Sequence, residues 1–140
     1  MNFHRYILIP IFVFLILSSP ITFAKKAAIV IDFDTKEVLF EVNANTKNYP
    51  ASLTKIMTLY ILFDKIEKGL LSNESKLKVS KIASSRSPSK LYLEAGSYIK
   101  VEDAIMALII KSANDVATVV AENISGTERN FGKLMTSYAR

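Results

Sequence analysis

The segment Pro50-Ala51-Ser52-Leu53-Thr54-Lys55-Ile56-Met57-Thr58 hands a turn over to a long apolar helix and leaves a serine at its mouth. Residues three apart share a helix face, so Lys55 lies one turn above Ser52 with its amine within reach of the hydroxyl. This is the pattern of an activated nucleophile, in which Ser52 attacks and Lys55 takes its proton. The unpaired N–H groups and the positive dipole end of the same turn favour negative charge developing beside Ser52.

Spacing alone does not single this pair out, because Ser-x-x-Lys recurs at Ser75/Lys78, Ser87/Lys90 and Ser97/Lys100. Those three lie in polar or turn-rich sequence, whereas Ser52 opens Ile56, Leu59, Tyr60, Phe63 and Ile66 at helical spacing. A serine before a helix is ordinarily an N-cap, so a second motif is required. Lys111-Ser112-Ala113-Asn114-Asp115 supplies it, as the one Ser-x-Asn of the chain, set between two apolar helical segments. By itself it reads as an interhelical turn.

Taken together, Ser52-x-x-Lys55 and Ser112-x-Asn114 are the first two of the three motifs of the active-site-serine penicillin-recognising enzymes. The words around them, Pro-Ala-Ser-Leu-Thr-Lys-Ile-Met-Thr at 50–58 and Lys-Ser-Ala-Asn-Asp-Val-Ala at 111–117, resemble the serine D-alanyl-D-alanine carboxypeptidases, the low-molecular-weight penicillin-binding proteins of peptidase family S11. The resemblance runs from about Ala28 to Arg140. It implies an α/β (α+β) fold of the penicillin-binding protein and serine β-lactamase type, with an N-terminal β-hairpin and a helical subdomain. It also implies Ser52, Lys55 and Ser112 as catalytic residues, with Ser112 relaying a proton to the departing amine, and Asn114 as the residue that holds the substrate's peptide group. The implied substrate is the D-alanyl-D-alanine end of the peptidoglycan stem pentapeptide, with β-lactams as inhibitors that acylate the same serine. No cofactor is implied.

The first 24 residues stand apart. His4 and Arg5 precede an apolar run from Tyr6 to Leu17, and Thr22-Phe23-Ala24 precedes Lys25, the pattern of a secretory signal peptide cleaved near Ala24. The remaining chain, 25–140, is expected in the periplasm or cell envelope as the N-terminal part of a carboxypeptidase catalytic domain. The single histidine goes with the leader, so no Ser-His-Asp triad is available and a lysine base is the natural candidate. The chain has no cysteine, and its carboxylates are dispersed, so no metal-ligand spacing is present. After the leader, 17 basic residues face 13 acidic ones without clustering among aromatics, a pattern that argues against nucleic-acid binding and suits an anionic cell wall.

Ala27 to Phe33 and Glu37 to Val42 read as a hairpin whose turn chemistry comes from Asp34 and Thr35. The Ser52 helix is expected to end near Lys68, stopped by Gly69. Lys76 to Val79 reads as a short strand, Val101 to Ile110 as a buried helix, Asp115 to Asn123 as a second, and Glu128 to Tyr138 as an amphipathic third that places Phe131, Leu134, Met135 and Tyr138 in the core.

The third family motif, Lys-Thr-Gly or a variant, is absent from the 140 residues. Because the resemblance puts that motif on a later strand, the chain is expected to be truncated before the later sheet strands. The missing part could be supplied by association with a separately encoded C-terminal part. The alternative expectation is a catalytically silent truncated remnant that at most binds cell-wall peptide.

Overall fold

A computed structural model describes residues 26–140; the signal peptide expected over Met1–Ala24 lies outside the described residues. The chain divides into two units, Met1–Tyr49 and Pro50–Arg140.

In the first unit the alternating sequence forms the expected hairpin. Strand β1 (Ala28–Ile31) pairs antiparallel with β2 (Val38–Val42), Ala28 opposite Val42, with a register shift between Val30 and Ile31. The two expected residues take part in the turn, Thr35 Oγ1 accepting from the Glu37 N–H (3.3 Å), but they are gathered by a third. Asp32 Oδ1 accepts from the Asp34 N–H (3.0 Å), the Thr35 N–H (2.8 Å) and the Thr35 hydroxyl (2.9 Å). These donors hold the Asp32 carboxyl below its ordinary range, the Thr35 backbone bond first among them. Every strand residue of the hairpin is exposed.

The second unit opens with a 3₁₀ turn, Ala51–Leu53, that runs straight into helix α1 (Thr54–Glu67). Gly69, at φ +68°, stops the helix as expected, and the Gly69 and Leu70 N–H groups close its last carbonyls at Ile66 and Lys65 (both 2.9 Å). Strand β3 (Lys76–Lys78) pairs antiparallel with β4 (Tyr98–Lys100), turning Leu77 and Ile99 inward. The β4 strand and the short helix α2 (Lys81–Ser84) were not anticipated; three- and four-residue elements are set by their partners, and are too short to show a period. Ser80 caps α2 by accepting from the Ala83 N–H (2.9 Å).

The buried α-helix expected over Val101–Ile110 is corrected in two respects. Helix α3 (Val101–Met106) gives way to a π-helical turn, Ala107–Lys111; Val101, Ala104, Ala107 and Leu108 are buried, but Met106, Ile109 and Ile110 are exposed. The wider turn rotates the last apolar residues outward. Helix α4 (Asn114–Ser125) follows and ends at Gly126, φ +75°, and α5 (Glu128–Tyr138) is capped by Thr127, whose hydroxyl accepts from the Asn130 N–H (3.1 Å).

The core lies between these elements. Ile61 and Leu62 of α1 share one buried cluster with Val116, Val119 and Val120 of α4, Leu77, Val79, Val101 and Phe131. Leu134, Met135 and Tyr138 pack on it as expected. Burial at ~25 cal/mol per Å² of apolar surface drives this assembly. Polar ties then fix its register. Asn123 mimics a strand neighbour, accepting from the Lys78 N–H (3.0 Å) and donating to the Lys78 carbonyl (2.9 Å). At the other end Asp64 receives the Lys68 ammonium (2.7 Å) and the Tyr138 hydroxyl, which hold its carboxyl down to about 2.

Candidate active site

Ser52 sits in the exposed 3₁₀ turn, after Ala51 in the left-handed region (φ +48°). Lys55 is the second residue of α1 and half-buried. The 3₁₀ turn runs without a break into α1, so the two residues are separated by one turn. The three other Ser-x-x-Lys pairs do not open a helix that way. Ser75 closes a turn on Ser72, Ser87 lies in a loop, and Ser97 caps a turn by donating to the Glu94 carbonyl (2.7 Å). Their lysines are engaged elsewhere or lie in strands: Lys90 on the Ser84 carbonyl (3.0 Å), Lys100 on Glu74 (2.6 Å), and Lys78 in β3.

The two sequence motifs, distant in the chain, meet at one contact. Lys55 Nζ donates to Asn114 Oδ1 at 2.8 Å. Among the described residues, no hydrogen bond joins Lys55 to Ser52, and the Ser52 hydroxyl has no partner; the ammonium is turned toward Asn114. Burial pushes the Lys55 amine below its ordinary pKa, since a charged group is poorly solvated there. That is the direction a base needs, because only the neutral amine can accept a proton.

Ser112 is the link between the π-helical turn and α4. It adopts the left-handed conformation, φ 52° and ψ 42°, uncommon for a residue with a side chain. Its Oγ is buried and has no hydrogen-bond partner. A buried hydroxyl without a partner is unusual, and here it belongs to a residue singled out on sequence grounds.

Asn114 is held on every side. Its Nδ2 donates to the Ser87 carbonyl (3.0 Å) and its backbone N–H to the Ser89 carbonyl (2.7 Å), while Ser89 Oγ donates to the Lys111 carbonyl (2.8 Å). The amide orientation is settled twice over, because Lys55 is a donor and Ser87 C=O an acceptor. Neighbouring Asp115 is wholly buried and accepts from the Leu91, Leu93 and Val116 N–H groups at 2.9–3.2 Å. Sequence reasoning assigned Asp115 only to a helix start. Its partners Leu91 and Leu93 lie 24 and 22 residues away, and no local pattern announces them. Among the described residues no group of three His, Cys, Asp or Glu is placed to hold a metal ion.

Comparison with known proteins agrees with the geometry. The family model for D-alanyl-D-alanine carboxypeptidase matches residues 16–140. The D-alanyl-D-alanine carboxypeptidase DacF of Bacillus subtilis is 35% identical over 123 residues, covering 88% of this chain and 32% of the relative. The crystal structure of the carboxypeptidase DacD from Francisella tularensis superposes with a TM-score of 0.75 at 35% identity, over 86% of this chain and 29% of that one. The ampicillin-bound penicillin-binding protein D2 of Listeria monocytogenes gives a TM-score of 0.67 at 27% identity, over 86% of this chain and 48% of that one. The chain spans about a third of the length of the curated relatives it matches.

Proposed function

Since the chain belongs to the D-alanyl-D-alanine carboxypeptidase family, we propose that it carries the nucleophile half of a serine carboxypeptidase site acting on peptidoglycan stem peptides, with Ser52 as nucleophile and Lys55 as base. The observation that carries this reading is the 2.8 Å contact between Lys55 and Asn114, which unites the two motifs.

In the proposed reaction, neutral Lys55 takes the Ser52 proton as Oγ attacks the carbonyl of the penultimate D-alanine. An Oγ–C bond forms, the C–N bond breaks, and the proton passes through the Ser112 hydroxyl to the departing D-alanine amine. Water then hydrolyses the acyl-enzyme. Asn114, already fixed by Ser87 and Ser89, holds both the Lys55 ammonium and the substrate's peptide group. β-Lactams acylate Ser52 by the same attack and leave slowly. In this reading residues 1–24 act as a secretory leader and the protein works in the periplasm or cell envelope.

The 140 residues lack a Lys-Thr-Gly motif. In this reading the second oxyanion donor and the cation for the substrate carboxylate come from residues outside them, and loss of one oxyanion donor alone lowers turnover by ~10²–10³. The test compares the 140 residues with a version extended through a Lys-Thr-Gly strand. After incubation with labelled penicillin, mass spectrometry is expected to place the adduct of the extended protein on Ser52, with D-alanine release only from that version. Label on Ser75, Ser87 or Ser97 rejects the nucleophile; equal turnover from both rejects the account of the missing strand.

A further inference from the structure

Residues 87–93, which in sequence look like a plain loop, form a strap around the start of α4. Five of their polar groups bind the segment 111–115: the Ser87 carbonyl receives Asn114 Nδ2, the Ser89 carbonyl receives the Asn114 N–H, Ser89 Oγ donates to the Lys111 carbonyl, and the Leu91 and Leu93 N–H groups donate to Asp115. The two ends of the strap do different jobs. Its first end touches the Asn114 amide; its second end is fastened by a carboxylate that is itself fully buried.

A buried carboxylate is tolerated only when its oxygens are well supplied with donors, and here both oxygens accept from Leu91, one of them also from Leu93 and the other from Val116. Asp115 has no contact with Lys55 or Ser52 among the hydrogen bonds of the described residues. What it determines is where residues 91 and 93 lie, and through the short run back to Ser87, where the carbonyl that receives Asn114 Nδ2 lies. We propose that Asp115 is a positioning residue, which through the 87–93 strap fixes the Asn114 amide with its oxygen facing Lys55. Its bearing on catalysis rests on the reading of Lys55 as base; the positioning itself does not.

The experiment follows the Asn114 side-chain amide of the 140-residue chain by ¹⁵N NMR, reading its solvent exchange together with the Lys55 Nζ resonance. Asp115→Asn preserves size but turns one of the two oxygens that accept from Leu91 into an NH₂, a donor facing donors, so the strap loosens. Exchange of the Asn114 amide is expected to rise about fivefold, the loss of one ordinary hydrogen bond, and the Lys55 resonance to move with it. Val119→Ala, a core truncation one turn along α4 from Asp115 that removes no polar group of the strap, is expected to lower the melting temperature and leave both readouts in place. Ser89→Ala removes only the exposed hydroxyl tie to Lys111 and is expected to raise exchange in the same direction by less. A folded Asp115→Asn with both readouts as in the parent overturns the proposal, as does an equal response from Val119→Ala. If Asp115→Asn does not fold, an unchanged Ser89→Ala overturns it. A penicillin adduct elsewhere than Ser52 would reject the carboxypeptidase reading and leave these readouts standing.

Discussion

At the start of α1, Ala51 to Thr54 are all exposed, no side chain caps the turn, and the Leu53 N–H bond to the Pro50 carbonyl (3.0 Å) is the tie beneath Ser52. At the start of α4, a comparable stretch is buried or half-buried, and Ser87, Ser89, Leu91 and Leu93 all bond to it. On the proposed reading the two mouths belong to one site, and they are restrained to opposite degrees. A nucleophile has to reach a substrate carbonyl, so its surroundings are left open. The polar groups that set its base and orient a peptide have to be in place beforehand, so theirs are closed.

Lys55 spans the two mouths, and removing it tests the comparison most severely. Lys55→Ala in the protein extended through Lys-Thr-Gly is expected to slow acylation by labelled penicillin by ~10²–10⁴, the range of a positioned general base. Acylation within a few-fold of the parent would mean that another group takes the Ser52 proton.

The open mouth was legible in the sequence and the closed one only in part. Ser52 could be picked out from four candidates because the apolar spacing from Ile56 to Ile66 is local and long, and Gly69 marks its end. Asn114 stood out through its motif. What fixes Asn114 did not, because Ser87 meets Asn114, Ser89 meets Lys111 and Leu91 meets Asp115 across 22–27 residues, and these pairings obey no period. The π-helical turn before Ser112 is hidden for a related reason. Its run of Ala107, Leu108, Ile109 and Ile110 is as apolar as a buried α-helix, and only the packed structure shows which residues turn outward. In the hairpin the same limit appears in miniature, since Asp34 and Thr35 are gathered by Asp32, which no turn signal marks.

The contrast in restraint predicts a contrast in stability. Asn114→Ala leaves the Ser87 carbonyl and the half-buried Lys55 ammonium without a partner, and is expected to cost about 1–3 kcal/mol in urea unfolding. Ser52→Ala removes an exposed hydroxyl without a partner among the described residues, and is expected to stay within about 0.5 kcal/mol of the parent. Equal losses would erase the distinction between the mouths.

Titration sharpens it further. Lys55 has its folded pKa below its unfolded value of 10.5, so in the window between the two the unfolded chain binds more protons and stability rises with pH. Lys65, Lys68 and Lys100 have raised pKa values, chiefly through hydrogen bonds to Tyr138, Asp64 and Glu74 respectively, and their contributions are lost only above 10.5. Below 10.5, replacing Lys55 by Met is therefore expected to flatten the rise of melting temperature with pH. A slope unchanged in Lys55→Met would place its source elsewhere.

The smallest expected effect lies at the open mouth itself. Leu53 is 65% exposed and directly follows Ser52, within a turn whose geometry is set by the backbone bond to Pro50. If that mouth is as free of packing as it is exposed, Leu53→Gln alters stability by no more than about 0.5 kcal/mol, since an exposed substitution away from caps and core has little to disturb. The 3₁₀ turn itself is expected to persist, because glutamine is a good helix former and donates the same N–H. Urea unfolding of the variant measures the difference. A loss of about 2 kcal/mol or more would mean that Leu53 is packed in solution, and that the start of α1 is braced like the start of α4.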